Sequence, residues 1–105
     1  MIIEPVVQSG TSGLMFQEFC HLKGTVYYTD NRNEADFIVY LHEDKAFADM
    51  LVYHESNTLF ADKPGKWYET TELGFADFVV YLNDEEGRAN FSIYYTDLEA
   101  FAGCR

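Results

Sequence analysis

Hydrophobic and polar positions follow a 13-residue unit that occurs six times from Val26 to the end of the chain. Each unit opens with a hydrophobic residue at position one and Tyr at position two, and Ala holds position ten in all six. The third unit is stretched to 15 residues around Lys63–Lys66. The opening pairs are Val26-Tyr27, Val39-Tyr40, Val52-Tyr53, Trp67-Tyr68, Val80-Tyr81 and Ile93-Tyr94. A repeat this regular determines the fold of a chain.

Each unit combines one strand with one connector. Segments such as Phe37–His42 and Phe78–Asn83 are rich in β-branched and aromatic residues, which predicts strands. The connectors place a helix-capping residue type at position five in most units and Ala at position ten, which predicts a single helical turn capped at its start. The sequence therefore predicts a mainly β protein with single-turn helical connectors.

The two-residue period of a strand assigns side chains to its two faces. One face of the strands carries the six tyrosines and is expected to be half covered. Four connector phenylalanines are expected to supply that cover: Phe47, Phe60, Phe75 and Phe101. The predicted core face consists of Phe37, Val39, Leu41, Met50, Val52, Phe78, Val80, Leu82, Phe91, Ile93 and Tyr95.

Short connectors limit the topology. A parallel crossover usually needs a dozen residues or more, so neighbouring units are expected to form an antiparallel meander or to turn a corner into another layer. A second periodicity bears on this choice, because residues 35–41 recur as residues 76–82. It indicates two laps of three units with the second lap beside the first, in which residues 35–41 and 76–82 occupy equivalent places and can be neighbouring parallel strands. The alternative is an antiparallel six-strand meander or barrel.

The domain boundaries follow from the same pattern. Residues 1–13 have linker composition near their end and are predicted to be a flexible N-terminal arm. Residues 14–105 form a single repeat domain, in which the apolar residues 14–24 are expected to dock as a short helix or strand. Its units are residues 26–38, 39–51, 52–66, 67–79, 80–92 and 93–105.

The charge balance limits the classes of molecule that the protein is expected to bind. With 18 acidic and 7 basic residues, the formal net charge is −11. This charge disfavours nucleic acids and anionic membranes and is compatible with a basic protein partner, while keeping a β-rich chain monomeric. Cys20 and Cys104 are too few for a small secreted domain, and Glu4 and Pro5 break the first apolar run. We therefore expect a cytoplasmic protein with reduced thiols.

Few residues in the sequence are candidates for metal binding or catalysis. The groups His42-Glu43-Asp44 and His54-Glu55 have metal-binding residue types, but strand parity directs His42 and His54 to opposite faces, so no metal site is predicted. Cys20 and His21 are adjacent, which does not bring the two side chains together. We therefore predict no catalytic, cofactor-binding or metal-binding residues.

Asp recurs at position eleven of the units. A repeated carboxylate is compatible with acid–base chemistry, but an Asp beside a turn more often accepts backbone hydrogen bonds. We adopt the second interpretation for Asp36, Asp49, Asp62 and Asp77.

The repeated Val-Tyr and Glu-Ala-Asp pattern resembles the septoil-knot family, small bacterial proteins of unknown function whose chain forms a seven-crossing knot. The resemblance is carried by residues 26–36, 35–43, 76–84 and 93–102 and covers residues 26–105. It departs from the pattern at Asn90 and Gly103, which replace Asp. The resemblance implies that the two laps are threaded through each other, whereas general folding rules disfavour any knot.

Two functional classes fit this sequence. The first is a stable structural or protein-interaction module. The alternative is an acidic decoy or immunity-type inhibitor that binds a basic protein. Acidic residues gathered on one face favour binding to a basic partner, whereas acids spread evenly indicate a solubility coat.

Overall fold

Every hydrophobic-Tyr pair lies in a strand of the computed structural model, which describes residues 19–104. The predicted arm at residues 1–13 lies outside this range. The strands are β1 Gly24–Tyr28, β2 Phe37–Leu41, β3 Met50–His54, β4 Lys66–Glu69, β5 Phe78–Asn83, β6 Phe91–Tyr95 and β7 Gly103–Cys104. Between them lie short 3-10 helices at Arg32–Glu34, Thr58–Phe60, Leu73–Phe75, Glu86–Arg88 and Glu99–Phe101.

Strands β1 to β6 form a closed barrel in which every pair of neighbours is parallel. The order around the barrel is β4-β1-β5-β2-β6-β3, and β3 pairs with β4 to close it. The short β7 pairs antiparallel with β3. The prediction of a mainly β protein is confirmed, and the alternative of an antiparallel meander or barrel was wrong.

The register explains why short connectors suffice for parallel strands. Tyr28 at the end of β1 and Phe37 at the start of β2 both lie opposite Val80 of β5. Leu41 and Met50 are likewise both opposite Ile93. Four of the five connectors between barrel strands therefore step over one intervening strand, about 10 Å between its two neighbours, and do not retrace the strand they leave; β3 and β4 are direct neighbours. The expectation that a parallel crossover needs a dozen residues or more failed because it assumes that the connector runs back along the length of the strand it leaves.

The 3-10 helices differ in detail from the predicted turns. Their caps stand at unit position six, where Asn31 accepts a hydrogen bond from the amide of Asn33 at 3.0 Å. The predicted cap at position five was therefore wrong. The closing role of Ala is confirmed, since the amide of Ala35 donates to the carbonyl of Arg32.

The barrel interior is built from the opening residues of the units, which are all 0% exposed: Val26, Val39, Val52, Trp67, Val80 and Ile93. Phe19, which precedes the repeat, stacks on Phe91 with ring centroids 4.2 Å apart and joins this core. Two predicted core residues differ, because Leu41 is 39% and Leu82 is 38% exposed. Both lie near the carboxyl ends of their strands, where the barrel opens to solvent.

The outer face carries the six tyrosines, each half-buried as predicted. The cover does not come from the connector phenylalanines: Phe47 is 68% exposed and Phe75 is 72% exposed. The expectation about these rings was therefore wrong. At Tyr81 a polar connector residue lies over the ring, since the guanidinium of Arg32 is 5.8 Å from the ring centroid.

Candidate functional site

The side chains at unit position eleven tie neighbouring strands together. Four of the six residues at this position accept the amide of a residue that directly precedes the opening residue of another unit. The pairs are Val79 N to Asp36 at 2.8 Å, Ser92 N to Asp49 at 2.9 Å, Thr25 N to Asp77 at 2.9 Å and Ile38 N to Asn90 at 2.7 Å. The interpretation as backbone acceptors is confirmed for the three aspartates.

Asp62 is the exception among the aspartates at this position. Its carboxylate lies 3.7 Å from the ammonium of Lys66, and its side chain is 62% exposed. The lengthened third unit moves Asp62 away from a strand amide, since Lys63, Pro64 and Gly65 intervene before β4 begins at Lys66. The aspartates are therefore dispersed along the strand junctions and do not form a cluster for acid–base catalysis.

The carboxyl ends of β1 to β6 meet at one end of the barrel because these strands are parallel. We call this end the carboxyl-end mouth. Its inward-pointing positions, by the two-residue period from the buried opening residues, are the third residues of the units. In barrel order, four polar or aromatic residues are followed by two leucines: Tyr95, His54, Glu69, Tyr28, Leu82 and Leu41.

The polar half of the mouth is a hydrogen-bonded aromatic cluster. The hydroxyl of Tyr95 donates to that of Tyr28 at 3.1 Å, and the Tyr28 hydroxyl lies 3.1 Å from His54 Nε2. Burial raises the pKa of Tyr28 and Tyr95 and lowers the pKa of His54. All three rings are therefore uncharged at neutral pH, and Glu69 supplies the negative charge beside them.

The apolar half of the mouth holds a cavity of about 310 Å³. Leu41 and Leu82 line it together with the carboxylate residues Glu43 and Asp84, and Tyr40 and Asn83 of the outer face complete the lining. Acidic residues follow the strand ends around the mouth, and all of them are exposed: Asp30, Glu43, Asp84 and Asp97 at unit position five, and Glu69 at the end of β4. The mouth thus combines a leucine surface with an acidic rim.

A buried ammonium group lies elsewhere, beside the β3–β4 connector. Lys66 Nζ lies 2.7 Å from Glu99 and 3.2 Å from Glu55, whose side chain is 8% exposed. The hydrogen bond to Glu99 and the interactions with Glu55 raise the pKa of Lys66. Sequence reasoning missed this cluster. Its only signal in the sequence was the polar residue Lys66 directly before Trp67. Carboxylates therefore surround the ammonium and neutralise its charge.

The two histidines considered for metal binding lie on opposite faces of the barrel wall, as parity predicted. His42 faces outward, with its ring 3.9 Å from the Glu86 carboxylate, whereas His54 belongs to the mouth. Within residues 19–104, no group of three or more His, Cys, Asp and Glu side chains is placed to hold a metal ion. The part of the chain that the structure describes also has no helix long and apolar enough to cross a membrane.

Cys20 and Cys104 form a disulfide across 84 residues of sequence. The prediction of reduced thiols was therefore wrong. Cys104 lies in β7, and the fold brings the segment preceding β1 beside it, with Cα atoms 5.4 Å apart. Neither cysteine belongs to β1 to β6, so the repeat carried no signal for the pairing.

These features define a class of protein: a small all-parallel barrel in which the first three strands alternate with the next three, closed by short over-strand connectors. The 7(1) septoil knot domain family matches residues 19–105, so the chain belongs to this family. The match begins before the repeat and includes Phe19 and Cys20, which the resemblance in the sequence did not cover. No curated protein matches the chain.

Proposed function

We propose that this protein is a knotted protein-interaction module without catalytic activity, whose carboxyl-end mouth binds a basic segment of another protein. The observation that carries the proposal is the cavity between Leu41 and Leu82 with Glu43 and Asp84 beside it. A leucine surface next to carboxylates complements an Arg or Lys side chain, which has an aliphatic stem and a charged head. The net charge of −11 accelerates encounter with such a partner.

The proposal includes a knotted chain, in which the six units are wound in two laps of three. Connectors of each half pass outside strands of the other half. Arg32, between β1 and β2, lies over Tyr81 of β5. Glu86, between β5 and β6, lies 3.9 Å from His42, which follows β2. Such reciprocal crossing supports a threaded chain, and a threaded scaffold would hold the mouth rigid.

The acidic decoy or immunity-type inhibitor is the second candidate. It is favoured by the acids that follow the ends of four barrel strands: Asp30, Glu43, Asp84 and Asp97. An inhibitor uses the same surface as the interaction module, and it differs in covering the active or nucleic-acid-binding site of its partner. Activity of the captured partner, measured with and without this protein, separates the two.

The expected monomeric state and cytoplasmic location remain predictions. The location rested on the small number of cysteines and on the apolar run broken by Glu4 and Pro5. Disulfides persist mainly in oxidising compartments, so the Cys20–Cys104 bond argues against it. Alkylation of free thiols in freshly lysed, fractionated cells determines both the compartment and the fraction of the protein that carries the bond.

The binding proposal is tested with a short peptide of alternating arginine and leucine, titrated into protein labelled at leucine methyl groups. We expect saturable shifts of the Leu41 and Leu82 methyl signals. Asp84→Asn should weaken binding more than Asp62→Asn, which removes the same charge away from the cavity. Equal weakening by both variants, or shifts spread over leucines distant from the mouth, would show charge attraction without a site.

A further inference from the structure

The disulfide encloses almost the whole described chain. Cys20 precedes β1, and Cys104 is the last residue of β7. The backbone from residue 20 to residue 104 and the sulfur bridge together form one covalent ring that contains all six barrel strands. The Cα atoms of the two cysteines are 5.4 Å apart, so the bridge closes the ring without a further excursion of the chain.

Both ends of this ring are held in the same place by the β3–β4 connector. The carbonyl of Leu22 accepts the amide of Gly65 at 2.9 Å and the indole N–H of Trp67 at 3.1 Å. Gly65 has φ +85°, and a Cβ there would lie 2.2 Å from the amide nitrogen of Gly103. The N-terminal segment, this connector and β7 are thus packed together, and the fold itself places the cysteines for bonding.

We infer that the Cys20–Cys104 bond is a topological lock, which fixes the threading of the chain for as long as the protein is oxidised. The inference rests on the knotted arrangement proposed above. An open knotted chain unties when one end withdraws through a loop, and unfolding makes that withdrawal possible. A closed ring has no end to withdraw. Its knot therefore persists even in the fully denatured chain and is released only by breaking the disulfide.

The chemistry of locking is ordinary thiol–disulfide exchange. The Cys20 and Cys104 thiols lose two electrons and two protons to the disulfide of an oxidised dithiol catalyst, which becomes a dithiol as the new S–S bond forms. A reduced dithiol reverses the step through a mixed disulfide. The redox state thereby decides whether the chain can be drawn out linearly, for example through the narrow pore of an ATP-driven unfoldase.

The test compares two rings of identical covalent structure. The first is the native oxidised protein, unfolded in guanidinium chloride without reductant. The second is a chemically synthesised chain oxidised in guanidinium chloride before it has ever folded, which closes the ring without threading. We expect the native-derived ring to have the smaller hydrodynamic radius in denaturant. On dilution it should regain its near-ultraviolet circular dichroism, and the never-folded ring should not.

Reduction is the matched control, because it opens both rings. After reduction the two samples should have the same hydrodynamic radius in denaturant, and both should refold under native conditions. Two rings that are equal in radius and in refolding before reduction would overturn the lock. The binding proposal is judged separately, by titrating the arginine-leucine peptide into Cys20→Ser/Cys104→Ser, which has no ring. Unchanged binding there, together with equal rings, would leave the interaction module intact and remove only the lock.

Discussion

Asp49 and Ser92 hold each other through both backbone and side chain. The amide of Ser92 donates to the Asp49 carboxylate at 2.9 Å, and the amide of Asp49 donates to the Ser92 carbonyl at 3.1 Å. Ser92 is only 2% exposed, so water could not freely take the place of the Asp49 carboxylate if that side chain were removed. This reciprocal contact joins the connector that precedes β3 to strand β6 of the other half of the chain.

Replacement of Asp49 should therefore destabilise the fold. We expect Asp49→Ala to lower the free energy of unfolding by about 1–3 kcal/mol, because a buried amide loses a charged acceptor. Asp49→Asn should cost less, since Asn90 already performs this role opposite Ile38. Asp62→Ala is the matched control, and its exposed side chain should be worth at most about 0.5 kcal/mol. Equal losses in guanidinium titrations of the two Ala variants would contradict this role of Asp49.

The two faces of β5 should respond differently to substitution. Val80 is 0% exposed and its neighbour Tyr81 is half-buried. We expect Val80→Asp to cost about 4 kcal/mol or more, because it places an unpaired charge in an apolar interior. Tyr81→Ser should cost about 1–2 kcal/mol. Thermal melts that rank the two variants in the opposite order would mean that the inward and outward faces are reversed.

Sequence predicted local structure better than topology. Periodicity located all six strands and the buried opening residue of each unit, because the two-residue alternation is a direct consequence of strand geometry. The recurrence of residues 35–41 as 76–82 correctly indicated that β2 and β5 are parallel neighbours. It did not predict that every other pair is parallel too, because the level at which a connector leaves and re-enters depends on the register of a strand from the other half, such as Val80 between Tyr28 and Phe37. The mouth was also missed, since Tyr28 and His54 meet only when the barrel closes.

Acidification should weaken the fold through His54. Burial lowers the pKa of His54 below its ordinary value of about 6.5. The unfolded chain therefore binds a proton at His54 before the folded one does, and the free energy of unfolding falls as the pH drops below about 6.5. His54→Gln should lose less stability than wild type between pH 8 and pH 5, and the outward His42→Gln should follow wild type. Parallel curves for all three proteins would exclude this contribution.

The buried ammonium of Lys66 should be needed mainly to neutralise Glu55. Lys66→Met leaves the Glu55 carboxylate buried without its cation, and the side chain is only 8% exposed. We expect a marked loss of stability in Lys66→Met, a recovery in Lys66→Met/Glu55→Gln, and little change in the exposed Lys63→Met. The melting temperatures of the three variants measure this. A double variant no more stable than the single one would place the stabilising role with Glu99 instead.

The last prediction concerns the kinetics of the open chain. Cys20→Ser/Cys104→Ser removes the ring and leaves only the proposed threading. Unfolding then requires an end to withdraw from a loop, so the rate extrapolated to water should be at or below about 10⁻⁵ s⁻¹, near the slow end for small domains. Refolding should also be slow, since the barrel pairs residues distant in sequence, such as Thr25 with Asp77. Stopped-flow and manual-mixing fluorescence of Trp67 follow both rates beside an ordinary β-domain of similar length. Complete unfolding within seconds at low denaturant would argue for an unthreaded barrel.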